Sequence, residues 1–304
     1  MRPFRFAAQV RGLDDRAGLV AAAQQLEVLG YDELFSYDHV GTVDPFIPLM
    51  VAAEATTRLR IGPLVINNEL HHPALLARTA ATVDRLTGGR LVLGLGTGFA
   101  QSEHHAIGMW LRDPGPRVTR FEESVMALRS LLDTGGVEFD GVHHQLHVDD
   151  IGIRPVQERV PFLIGGHGKR VIGIAARFAD IFQFTGLTHG HGGHLSAGGF
   201  GLDAVRERSH WLTGAAGDRA GDIERSALVQ QVDIGAGTSD RIEAAAERFE
   251  VTRQVIEETP FALIGSVEQV VDKLERLRSD VGINHYVIRD VDAFAPVAAI
   301  LAGR

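Results

Sequence analysis

The chain has 304 residues, 45% of them hydrophobic, a formal net charge of −9 and no cysteine. The missing cysteines exclude disulfides, thiolate metal centres, iron–sulfur clusters and cysteine nucleophiles. An acidic balance without a concentrated cationic stripe argues against nucleic acid as a partner, and no apolar run approaches the roughly 20 residues of a membrane span.

Met1 to Val10 lacks the apolar centre and small-residue cleavage site of a secretion signal. The expectation is a cytoplasmic protein acting on a small molecule, without membrane or nucleic-acid partners. All basic residues except Lys169 and Lys273 are arginine, which reads as the product of a high-GC genome.

Short apolar runs alternate with longer amphipathic ones, the βαβα pattern of a parallel sheet. Phe4 to Val10 reads as strand one, and Asp15 to Leu29 as a helix with apolar Leu19, Ala22, Ala23 and Leu26, stopped by Gly30. Glu33 to Tyr37 is strand two, Phe46 to Thr57 a helix, and Leu59 to Ile66 strand three. Pro73 opens a helix to Leu86, and Leu91 to Leu95 is strand four.

Arg117 to Leu132 is a helix, and Val137 to Val148, split at Asp140-Gly141, a hairpin outside the main alternation. Its His143, His144 and His147 read as surface residues. Pro161 to Ile164, Ile181 to Phe184, Ala227 to Ile234 and Asn284 to Arg289 are strands five to eight. Helices are expected over Lys169–Phe178, Leu202–Leu212, Asp240–Glu257, from Ser266 to about Arg278, and over Asp292–Leu301, with Ser266 and Gln269 able to form a capping box. Gly186 to Gly201 is a Gly- and His-rich loop. Eight alternating strands point to one (β/α)₈ TIM barrel over residues 1–304, with insertions near 137–148 and 186–201; an open doubly wound sheet is the alternative fold.

The site of such a barrel lies where its strands end. Strand two ends in Tyr37-Asp38-His39, strand three in Asn67-Asn68-Glu69 and then His71-His72, strand four in Gly96-Thr97-Gly98 with Glu103 shortly after, and strand five in Gly165-Gly166-His167-Gly168. Four successive strand ends are polar, ionisable or Gly-rich, which suggests one composite site. Asp38-His39 sets a carboxylate beside an imidazole able to move protons near neutral pH. Gly94-Leu95-Gly96-Thr97-Gly98 is not a nicotinamide fingerprint, because Phe99 occupies the place of its last glycine and the motif follows the fourth strand, not the first. Its glycines permit close backbone approach to a flat ring or a phosphate. Gly165 to Gly168, followed by Lys169-Arg170, reads as a phosphate cradle at a helix start. His189, His191 and His194 have no accompanying carboxylate, so no metal site is expected.

Together these residues resemble the luciferase-like monooxygenase superfamily. The resemblance is carried by Ser36-Tyr37-Asp38-His39, by Ile61 to Gly98, by Pro161 to Gly166 with Ala175 to Asp180, and by Gly265 to Gln269 with Tyr286-Val287-Ile288. It implies a (β/α)₈ barrel that commonly dimerises and binds FMN or the deazaflavin coenzyme F420. The compact chain and its Asp-His pair resemble the deazaflavin branch.

By that resemblance His39 handles the proton, with Asp38 beside it and Glu103 as an acid or cofactor contact. Asn67 would meet the ring, a non-proline cis peptide at Leu64-Val65 would press on its middle, Gly96, Thr97, Gly98, Gly165, Gly166 and Gly168 would hold the ribityl-phosphate arm, and His167 would also be cofactor-binding. Sugar-phosphate dehydrogenases of the branch carry an aromatic residue soon after the Asp-His pair, and Val40 to Asp44 has none. The implied activity is hydride transfer between coenzyme F420 and an organic substrate. An FMN-dependent two-component monooxygenase and a non-catalytic flavin-binding barrel are the alternatives.

Overall fold

In the computed structural model, residues 1–9, 15–189, 195–235 and 237–304 are described. Strands β1 (Arg5–Gln9), β2 (Glu33–Ser36) and β3 (Arg60–Pro63) alternate with helices α1 (Arg16–Val28) and α2 (Ile47–Glu54). The third barrel strand then breaks at a cis Leu64–Val65 peptide and resumes as β4 (Ile66–Asn67). Helix α3 (Pro73–Leu86), β5 (Leu93–Gly96), α4 (Gln101–Ala106), α5 (Pro114–Asp133) and the hairpin β6 (Val137–Asp140) and β7 (Gln145–Val148) follow. Next come β8 (Phe162–Gly165), α6 (Lys169–Phe178), β9 (Ile181–Phe184), a small ribbon of β10 (Thr188–His189) and β11 (Leu195–Ser196), and α7 (Leu202–Ala216). The chain ends with β12 (Glu224–Leu228), β13 (Gln231–Ile234), α8 (Thr238–Phe249), α9 (Arg253–Glu258), β14 (Ala262–Gly265), α10 (Val267–Val281), β15 (Ile283–Ile288) and α11 (Val291–Leu301).

The ladder runs β3-β2-β1-β15-β12-β9-β8-β5-β4, all pairs parallel. Since β3 and β4 are one pass of the chain, and Ile61 also bridges Leu91, the ladder closes into the expected barrel.

Alternation along the strands divides each between two environments. Phe6, Leu34, Phe182 and Tyr286 face the helices in the main core. Ala7, Phe35, Leu163, Ile181 and Val287 form a second apolar cluster, which Leu64 and Val92 join. On the same strand faces lies a buried polar layer. Arg5 bonds Glu33 and Glu224, the latter at 2.6 Å, and His285 lies between Glu33 (3.2 Å) and Ser226 (2.8 Å). Burial pushes the His285 imidazole down to about 4, against the opposing field of Glu224. Burial would raise the Glu224 carboxyl, but His285, Arg5 and Asn284 hold it below its ordinary value.

Four expectations change. Ala227–Ile234 is not one strand: β12 belongs to the barrel, while β13 leaves it to pair with β14, a strand the sequence reading missed. Asp240–Glu257 is two helices, because Glu250 caps α8 in the left-handed conformation and Thr252 starts α9 by accepting from Val255 N–H. The short helix α4 was also missed, and its six residues are too few to show a period. His144 is buried, not superficial: its Nε2 lies 2.9 Å from Ser124 Oγ, and the Glu123 carboxylate accepts from the N–H groups of residues 142–144 and pins the hairpin turn. Burial, helped by Arg120 and His72, pushes the His144 imidazole down to about 4. The Ser266–Gln269 capping box is formed.

Candidate active site

Beyond β2, Ser36 Oγ donates to Pro45 O (2.6 Å), and Asp44 accepts from Phe46 and Ile47 N–H, so both ends of the loop carrying Asp38 and His39 are tied down. His39 Nδ1–H donates to Glu103 Oε1 across 2.8 Å, and the other Glu103 oxygen accepts from Val40 N–H at 3.1 Å. A carboxylate accepts only, so Nδ1 carries the proton and Nε2 holds the free lone pair. The imidazole sits between the rings of Tyr37 (5.9 Å) and Phe99 (5.6 Å, edge-on).

Asp38, though next to His39 in sequence, bonds elsewhere. Its Oδ2 accepts from Asn67 N–H (2.9 Å) and from His71 Nε2–H (2.8 Å), joining the ends of strands two and three. Asn67 Oδ1 in turn accepts from Glu69 N–H. Glu69 is buried and paired with Arg112 (2.8 Å) and Arg120 (3.3 Å), while Arg120 also donates to the carbonyls of Asn68 and His71.

The glycines in and just after strand four face this same seam. A Cβ at Gly94 would overlap Pro63 O, one at Gly96 would lie 2.5 Å from Val65 Cγ2, and one at Gly98, where φ is +77°, would strike Asn67 Oδ1. They let strand four lie against the bulged strand three. Thr97 Oγ1 donates to Gly98 O at 3.3 Å.

Past strand five, His167 turns toward the loop after strand six. Its Nδ1 accepts from Arg208 (3.0 Å), so Nε2–H is shared between Thr185 Oγ1 (2.6 Å) and Leu187 O (3.1 Å). Burial pushes the Arg208 guanidinium down to about 10, and it donates to the carbonyls of Ala204, Thr185 and Gly199. Gly165 and Gly166 lead into α6, whose N-cap Gly168 offers no side-chain cap. His191, His194 and the His189 side chain lie outside the described residues. Among the described residues no group of three or more His, Cys, Asp or Glu is placed to hold a metal ion.

The strand ends not considered from sequence also meet here. Arg289, at the end of strand eight, donates from Nε to Gln9 Oε1 (3.1 Å) and from Nη1 to Gln230 Oε1 (2.6 Å), while Gln9 Nε2 donates to Leu64 O (3.3 Å). Applying the strand-end rule to strands one and eight would have found Gln9 and Arg289. His71 was visible as a polar residue after strand three. In the sequence Phe99 only breaks a motif, and its contact with His39 has no sequence signal.

The arrangement suits a flat, two-faced cofactor with an anionic tail. Leu64 and Val65 join an apolar cluster inside the barrel, polar groups of strands two to four surround it, and α6 presents uncapped N–H groups. Two buried atoms close by, Asn68 Nδ2 and His104 Nε2, have no hydrogen-bond partner among the described residues.

Known proteins agree with this architecture. A family model described as luciferase-like monooxygenase matches residues 2–197. The 4-hydroxyprotoasukamycin monooxygenase of Streptomyces nodosus is 37% identical over 36% of this chain and 30% of its own. The F420-dependent glucose-6-phosphate dehydrogenase of Kineococcus radiotolerans is 30% identical over 61% of this chain and 53% of its own. Matches to these curated relatives thus span between about a third and half of their length. The coenzyme F420-dependent tetrahydromethanopterin reductase of Methanopyrus kandleri shares the fold, with a TM-score of 0.75 at 18% identity over 99% of this chain and 98% of its own. With its closed barrel and a family match over more than half its length, the chain belongs to the luciferase-like monooxygenase family.

Proposed function

We propose that this protein is an oxidoreductase that uses coenzyme F420 to exchange a hydride with an organic substrate, with His39 as the proton-handling residue. The observation that carries the reading is the His39–Glu103 pair, set at the barrel mouth with Nε2 free to take or give a proton. The residues suited to hold the cofactor are Leu64 and Val65 beneath the ring, Asp38 and Asn67 at its edge, and Gly96, Thr97, Gly98, Gly165, Gly166 and Gly168 along its tail; His167, whose nitrogens are taken by Arg208, Thr185 and Leu187, steadies the turn between them. When bound, the deazaflavin supplies a two-electron hydride acceptor or donor, a chemistry these side chains lack.

His39 accepts a substrate proton at Nε2 in the oxidising direction and returns it in the reducing direction. Glu103 keeps Nδ1 protonated and the ring oriented throughout, and Asp38 fixes the loop through His71 and Asn67. Holding the reacting carbon beside these groups supplies the proximity part of the rate.

The competing reading is an FMN-dependent monooxygenase. It is favoured by the 37% identity, over 36% of this chain, to the Streptomyces nodosus monooxygenase. Titrating the purified protein with each cofactor separates them: coenzyme F420 is expected to bind and support substrate-dependent loss or gain of its absorbance. Tight FMN binding with no F420 binding would overturn the proposal.

A further inference from the structure

Glu103 reaches His39 from α4, and the chain around α4 exposes a cluster of large apolar side chains. Phe99, Ile107, Met109 and Trp110 are 41%, 44%, 42% and 80% exposed. Single exposed apolar residues are ordinary, whereas several in one short stretch mark a binding surface.

The stretch is held against the site at both ends. Glu103 bonds His39 and Val40 at the front, while Met109 N–H donates to His104 O and Arg112 to Glu69 behind. The Phe99 ring meets the His39 imidazole edge-on, so a molecule bound at that imidazole has an aromatic wall beside it. Phe99 to Leu111 contains neither Lys nor Arg. An anionic substrate finds no lysine or arginine within this stretch, and an apolar one finds a surface.

We propose that Phe99 to Leu111 is the substrate-recognition arm of this site, taking the apolar flank of a neutral carbonyl compound or its alcohol. The inference rests on the oxidoreductase reading above for where the substrate lies, and Phe99 is its specificity-determining residue. A second copy of this chain is the rival occupant, and the test discriminates against it.

Trp211→Phe leaves Trp110 as the sole tryptophan. Titration of that variant with 2-octanone is expected to give a saturable blue shift of its emission, and glucose 6-phosphate none. Phe99→Ser should weaken the 2-octanone midpoint about tenfold or more, and Phe99→Leu by less than about threefold, since the lost contact is apolar area. No shift with 2-octanone, or a shift with the sugar phosphate alone, overturns the proposal. So does a shift that appears without ligand as protein concentration rises, because a second copy would then cover the arm. Equilibrium dialysis of the same protein with coenzyme F420 and FMN separates the two readings: a retained 2-octanone response with neither cofactor bound sinks the oxidoreductase reading and leaves the arm standing.

Discussion

His39 and Glu103, 64 positions apart in the chain, meet at 2.8 Å through Nδ1 and Oε1, and the contact fixes which nitrogen of the imidazole does chemistry. His39→Ala should lower kcat by about 10²–10⁴, the usual contribution of a positioned acid or base, while cofactor affinity changes less than threefold. Glu103→Gln should cost less, because an amide oxygen can still accept from Nδ1–H or from Val40 N–H, but it should displace the pH profile of kcat. Steady-state rates across pH with parallel cofactor titrations check both. A loss confined to binding would remove His39 from the chemistry.

Asp38 Oδ2 accepts two hydrogen bonds, from Asn67 N–H and His71 Nε2–H. Asp38→Ala removes the acceptor of both bonds. We expect a stability loss of about 1–3 kcal/mol by urea unfolding, the cost of unmet buried partners. Asp38→Asn, whose amide oxygen can still accept, and His71→Gln, which can still donate, should each lose less than Asp38→Ala.

The buried layer around His285 makes the barrel sensitive to acid. Burial pushes His285 down to about 4, so between that value and its unfolded value near 6.5 the unfolded chain binds the extra proton. Stability then falls as pH drops through that window, by up to about 1.4 kcal/mol per pH unit. Glu224, held below its ordinary value, adds a loss in the same direction at lower pH. His285→Gln should be less stable at pH 7.5 yet show a flatter decline toward pH 4.5. Urea unfolding at a series of pH values is the measurement, and an unchanged slope would contradict the assignment.

Lys273 runs on the opposite side of neutrality. It is buried between α9 and β14, donates to Ile256 O (2.9 Å) and Ala262 O (2.7 Å), and is pushed down to about 7 by burial. From there to its unfolded value near 10.4 the unfolded chain holds the additional proton, so stability rises with pH. Lys273→Met should abolish this rise. Denaturant midpoints of the two proteins at pH 7 and pH 9.5 give the comparison.

The barrel was legible because its strands are short apolar runs and its helices carry period 3.6, signals that survive in one sequence. The ends of strands two to five were legible because ionisable and glycine residues cluster there. Three of the failures depended on contacts remote in sequence. Nothing local separates β12 from β13, since their division is made by β14 further along the chain. Asp38-His39 suggested a pair by adjacency, yet neighbouring residues point apart, and each found its partner on another strand end or on α4. His144 looked like a loop residue because the burial that changes it comes from Ser124 and Glu123 on α5.

The side chains of Gln230, Arg289 and Gln9 form a tie that crosses the rim from β12 to the carbonyl of Leu64. Its outer end is fastened outside the barrel, where Gln230 N–H donates to Phe261 O just before β14. The β13–β14 excursion is thereby coupled to the strand-three bulge on the far side of the mouth. Inserting or deleting one residue between β12 and β13 would carry Gln230 away from either Arg289 or Phe261 O, because one side of the residue bonds the rim and the other bonds the excursion. An excursion that looks ornamental is therefore length-constrained by the barrel rim to which it is tied.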